Sequence, residues 1–261
     1  MASGHPGHGL TVSGLWVEGF ALLRPHLGSV IWIAAMFVFL PQLVVEVLMR
    51  PIAPASMDTA SLLPILLVSI AALVGQLACI AILLGGSLSV GEAIQRGVRL
   101  IPRALLAVLL IVSCLLPVLL GIGAAAAALG IDAAQMTKPS ASVSVFLLVV
   151  VGIILMFTAR LVTFNATLVG ERLAAWASVR RAWAMTNGAG WVLAGFISTL
   201  ALAFLSASGL LKMVGDVVAT LLFGQSIVGK LVMATLLAAA STAFSLLSLS
   251  SGVVAYRALA K

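Results

Sequence analysis

Charge is what this chain has least of. Only 8% of its 261 residues are Asp, Glu, Lys or Arg, where soluble domains carry about 25%, and 63% are hydrophobic. A chain so apolar cannot cover its own surface for water, which excludes a soluble domain. Carboxylates are scarcer still: seven, scattered over connections and helix ends, too dispersed for a paired acid and base. Cysteine is nearly absent. Cys79 and Cys114 both fall inside apolar runs, where a thiol is a small packing residue rather than half of a disulfide. His5 and His8 lie in a Gly/Pro-rich start and His26 stands alone, too few ligands for a metal. A Gly-rich phosphate loop, a nucleophile elbow and an RNA-reading motif are missing too. These absences argue for a protein that is not an enzyme, with no cofactor, no metal and no nucleic-acid partner.

What is present is long apolar runs. A spanning helix needs about 20 mostly apolar residues, and six stretches qualify: Leu27 to Leu48, Ser61 to Leu84, Arg103 to Leu129, Ser142 to Val162, Trp191 to Val214 and Ile227 to Arg257. Six spans put both termini on one side. The start from Met1 to His8 carries no Lys or Arg, so it lacks the basic region of a cleaved signal peptide, and the first span is expected to be retained. Of the 14 basic residues, ten fall on the side of the termini: Arg24, Arg96, Arg99, Arg103, Arg160, Arg172, Arg180, Arg181, Arg257 and Lys261. The other side has Arg50, Lys138, Lys212 and Lys230. Basic residues in short loops stay in the cytoplasm, which makes both termini cytoplasmic. The net charge of +7 thus reports topology and attraction to anionic lipid headgroups, not nucleic acid.

A unit recurs along the chain: a short amphipathic segment with Trp, Arg and Glu, then two apolar runs. It begins at Thr11, at Ser89 and near Leu173. The expected fold is an all-α integral membrane protein, six transmembrane helices in three same-orientation repeats, each an interfacial helix plus a hairpin. The boundaries are 1–10 for a flexible cytoplasmic tail, 11–86, 87–170 and 171–261 for the repeats. Thr11 and Ser89 are N-caps, and Glu92 and Arg96 stand four apart, a helical ion-pair spacing. Pro25, Pro102 and Asn187-Gly188 are expected to stop the three short helices.

The candidate contact surface for lipid or a partner protein is Trp16, Arg96, Arg99, Arg103, Trp176, Arg180, Arg181 and Trp183, since an indole can bury its ring and hydrate its N–H at an interface. No charge falls at mid-membrane. Arg160, flanked by apolar sequence, needs a partner; Glu171 or Glu92 is the natural one, and a buried Arg160–Glu171 ion pair is expected. The weakly polar interior residues Gln76, Ser113, Ser241 and Ser245 are candidate lining for a cavity, set against their ordinary use in close helix packing.

The run from Leu88 to Pro102, the Ala159-Arg160-Leu161 end of the fourth span, Leu168 to Glu171 and Ser178 to Gly188 resemble the membrane domain attached to some bacterial glycerophosphoryl diester phosphodiesterases and its stand-alone YciC-type relatives. The resemblance covers about Gly86 to Phe196, with the remainder matched by hydropathy. It implies six helices and a bacterial inner membrane. It implies no activity, because the phosphodiesterase chemistry of such proteins belongs to a separate soluble domain. The functional expectation is a non-enzymatic inner-membrane protein that binds lipid or serves as an accessory or scaffold subunit. The alternative is a transporter or channel for a small or amphiphilic solute.

Overall fold

Thr11 turns the chain into its first helix: its hydroxyl accepts the Gly14 N–H at 3.1 Å, and α1 follows (Val12–Leu23). A single 3-10 turn at Arg24–His26, with Pro25 inside it, separates α1 from α2 (Leu27–Ala34). The same helical run widens into a π segment at Ala35–Phe39 before α3 (Leu40–Leu48). Pro41 supplies a reason, since a proline ring clashes with the carbonyl four residues back, here that of Phe37, and removes one donor. Gly75 of the following helix sits against this widened turn, where a Cβ would meet Phe37 Cβ.

The remaining elements are α4 (Thr59–Gly85), α5 (Val90–Ala128), α6 (Ala141–Leu161), α7 (Phe164–Glu171), α8 (Ala175–Met185), α9 (Gly190–Phe223) and α10 (Ile227–Leu259). The computed structural model describes residues 10–48, 59–86, 88–128, 130, 141–171, 173–223 and 226–260. The tail with His5 and His8, Arg50, Asp132 to Ser140 with Lys138, Arg172 and Lys261 lie outside the described residues. Those residues are almost wholly helical and contain no strand, and six helical runs are long and apolar enough to cross a membrane. The chain is a multi-pass membrane protein.

The short segments enter their spans differently. α1 bends through Arg24–His26, and α8 ends at Thr186 and turns through Gly188, whose positive φ of 99° suits glycine. Pro102 was expected to end the second, and it does not: α5 runs straight through both Pro102 and Pro117. Its buried positions Ala93, Gly97, Leu100, Ala104 and Ala107 form one stripe at three- and four-residue spacing across Pro102. That stripe lies against α4, with the Gly97 Cα so near that a Cβ would come within 2.9 Å of the Val74 carbonyl. Packing along the whole stripe outweighs one lost hydrogen bond.

α1, α7, α8, the start of α5 and the ends of α4 and α10 gather at one end of the bundle, the capped end. There every residue from Leu77 to Leu83 is at most 2% exposed, so that stretch of α4 is surrounded on all sides. α1 lies on the last turns of α10: Leu15 and Gly19 are buried, the Ser251 hydroxyl donates to the Leu15 carbonyl at 3.2 Å, and Gly19 admits Ser251 where a Cβ would clash. Toward the other end, α5, α6 and α9 expose leucine and valine along most of their length. α5 and α6 meet there around Ala126 and Val143, with Phe146 beside them.

Candidate functional site

Three groups of side chains at the capped end have distinct chemistry: a set of arginine clamps, an apolar groove, and a polar cavity.

The clamps use last-turn carbonyls, which have no intrahelical partner. Arg257 Nη2 donates to the Leu83 carbonyl of α4 at 2.6 Å, and Arg96 Nη2 to the Val169 carbonyl of α7 at 3.0 Å. A cation at a helix C-terminus also faces the negative end of its dipole. Arg96, expected at the lipid or partner surface, is therefore half-buried and occupied. Glu171, at the end of α7, accepts from Arg181 Nε at 3.5 Å and from the Tyr256 hydroxyl at 3.3 Å. The expected Arg160–Glu171 pair is not formed. Arg160 is held by α8 and the turn after it: its Cζ lies 5.6 Å from the Trp183 ring centroid, and Nη1 donates to Asn187 Oδ1 at 3.4 Å. The Thr163 break between α6 and α7 allows the chain to change direction between Arg160 and Glu171. Glu92 does not reach Arg96 either. It completes a capping box, accepting the Ser89 hydroxyl at 2.7 Å and the Ser89 N–H at 2.9 Å, which in that order hold its carboxyl below the usual range. It lies on the first turn of α5, ahead of the apolar stretch that begins after Arg103.

The groove separates α5 from α6 on the capped side of their Ala126–Val143 contact. It has a volume of about 360 Å³ and is walled by Leu110, Ile111, Cys114 and Leu115 of α5 and Phe157 and Leu161 of α6, with Trp176, Val179, Arg180 and Trp183 of α8 across it. Trp183 is fixed edge-on against Phe157, with ring centroids 5.6 Å apart, and covered by Arg160. Trp176 and Arg180 are exposed, and Arg180 has no hydrogen-bond partner among the described residues. Its neighbour Arg181 is committed to Glu171. Of the expected contact residues, Trp176, Arg180 and Trp183 come together here. Trp16 does not join them: its Nε1 donates to Thr199 Oγ1 at 3.4 Å and its ring meets Phe196 of α9 at 5.5 Å. Arg99 and Arg103 are exposed on α5, away from the groove lining.

The polar cavity, of about 300 Å³, lies between α4, α6, α7, α9 and α10. Gln76 and Ser245, two of the expected lining residues, do line it, together with Thr158, Asn165 and Ser248. Ser113 and Ser241 do not. Ser113 is exposed, its hydroxyl bonded to the Leu109 carbonyl, and Ser241 is half-buried elsewhere on α10. Leu161 belongs to the wall of both chambers. The contribution of Asn165 depends on the α6–α7 break, for which the sequence offered no glycine or proline signal. No group of three or more metal-ligating side chains occurs among the described residues.

Compared with protein families, curated proteins and solved structures, the chain matches none of them.

Proposed function

We propose that the protein is a non-enzymatic component of a bacterial inner membrane that holds an anionic lipid at its capped end. The observation that carries this reading is the groove between α5 and α6: an apolar chamber walled by two indoles, with the unengaged Arg180 guanidinium on its wall. An acyl chain fits the apolar wall, and a phosphate suits a guanidinium that no carboxylate among the described residues engages. The ten-to-four division of basic residues supports a cytoplasmic capped end and cytoplasmic termini. The likeness of the Leu88–Pro102 and Ser178–Gly188 segments to the phosphodiesterase-associated membrane domain supports the same membrane.

The test is lipid retention in bilayer discs of phosphatidylcholine with phosphatidylglycerol, read by native mass spectrometry. Wild type should retain phosphatidylglycerol in excess of its share of the disc. Arg180→Gln should lower that retention about tenfold, the size of one charge-assisted hydrogen bond, while Arg99→Gln leaves it alone. Equal retention by wild type and Arg180→Gln removes the basis of the proposal. A co-purifying protein in place of lipid would support the accessory-subunit reading.

A further inference from the structure

The polar cavity is a second site, and it does not rest on the lipid reading. Its lining has an unusual composition for the inside of a membrane bundle. Two carboxamides, Gln76 of α4 and Asn165 of α7, stand in its wall with the hydroxyls of Thr158, Ser245 and Ser248, and no ionisable residue lines it. Neither carboxamide has a hydrogen-bond partner among the described residues. Each amide carries two donors and a carbonyl acceptor, and both are half-buried, with that capacity left for whatever occupies the cavity. Thr158 donates to the Ile154 carbonyl at 2.8 Å, leaving its oxygen free to accept. The wall therefore offers both donors and acceptors, in a space many times larger than one water molecule needs.

We infer that this cavity binds a small uncharged molecule bearing several hydroxyl or amide groups, free or as the headgroup of a neutral lipid. Charge is what the lining discriminates against. A phosphate, carboxylate or ammonium entering here would leave its hydration shell without meeting an opposite charge, whereas a polyol exchanges water for amide and hydroxyl partners one for one. The arrangement is assembled by the fold: Gln76 belongs to the tightly packed end of α4, Asn165 is brought in by the turn at Val162–Thr163, and Gly252 lets α10 approach that turn, where a Cβ would come within 3.0 Å of the Val162 carbonyl. The apolar residues Ile80, Ile197 and Leu200 complete the wall, so a few polar groups stand in a largely apolar lining. That is the usual form of a small-molecule site.

The test places a reporter thiol in the wall. Cys79→Ala, Cys114→Ala and Ser248→Cys are combined in the full chain, held in phosphatidylcholine discs, and the rate of modification by a small neutral methanethiosulfonate is measured. Erythritol should slow it saturably, about tenfold at roughly nine times its Kd, and the zwitterion glycine betaine at equal osmolality should not. Adding Gln76→Leu and Asn165→Leu should abolish the protection. If the ligand is lipid-borne, protection appears instead in discs containing a neutral monogalactosyl lipid and is lost in the same double variant. Absence of protection by either probe overturns the proposal, as does protection that survives Gln76→Leu and Asn165→Leu. So does a thiol that stays unmodified in a protein whose elution profile and thermal midpoint match wild type, because the cavity is then closed. Neither result bears on phosphatidylglycerol retention by Arg180, so failure here is distinguishable from failure of the groove.

Discussion

Arg257 and Arg96 have the same chemistry as Arg99 and Arg180, and the four differ only in what lies within reach. Arg257 and Arg96 find the orphan carbonyls of Leu83 and Val169; Arg99 and Arg180 find no protein partner among the described residues. A charge-assisted hydrogen bond to a last-turn carbonyl contributes about 1.5 to 3 kcal/mol. Arg257→Gln should therefore lower the thermal midpoint by several degrees in detergent, and Arg99→Gln should leave it unchanged, both read by intrinsic fluorescence. An equal midpoint for the two variants would mean that the Leu83 clamp contributes nothing. Little of this could be read from sequence. The positions of the arginines were plain, but their partners are backbone oxygens of other helices, which carry no residue-type signal. Glu92 shows the limit from the other side: its spacing allowed either Arg96 or Ser89, and only the N-terminal position of Ser89, with an unpaired N–H, decided between them.

At the scale of elements, proline and glycine had opposite fates. Pro25 does end α1 in a 3-10 turn, but Pro102 lies inside α5 because Ala93, Gly97, Leu100, Ala104 and Ala107 continue one packed stripe across it. Gly97 is the tightest point. Gly97→Leu would place a side chain against the Val74 carbonyl and force α5 from α4, a cost of about 1 to 3 kcal/mol. Gly91→Ala, in the first turn of α5 where a Cβ meets nothing within 4 Å, should instead stabilise by a few tenths of a kcal/mol, a part of the interior helix-propensity difference. Thermal midpoints of the pair should move in opposite directions. The break between α6 and α7 escaped sequence reading for a related reason: Leu161 to Phe164 contains no breaker, and the turn is held by Thr167, whose N–H and hydroxyl both bond the Thr163 carbonyl at 2.9 Å.

Across the whole molecule the two ends differ in packing. The capped end encloses Leu77 to Leu83 of α4 on all sides, while the other half leaves its apolar surfaces outward, as lipid requires. The two cysteines report this difference. Cys79 is fully buried in the capped core, its Sγ 4.0 Å from the Val30 carbonyl, and Cys114 is exposed in the groove wall. N-ethylmaleimide should modify Cys114 in the folded protein and reach Cys79 only on unfolding, as mass spectrometry of the intact chain would show. Prompt modification of Cys79 would contradict the packing of the capped end.

Hydropathy alone determined that this is a helical protein with six runs able to span a membrane, because lipid forces every backbone group to be satisfied within its own helix and run length then counts the spans. Local caps were legible for the same reason: Thr11 and Ser89 act on amides within three residues of themselves. The tertiary structure decided which arginines are clamps, that α5 ignores Pro102, and that Gln76, Asn165 and Ser248 share one cavity while Trp176, Arg180 and Trp183 share a groove. Those relations join residues from different helices, and their distances depend on how closely small residues such as Gly97 and Gly252 let the backbones approach.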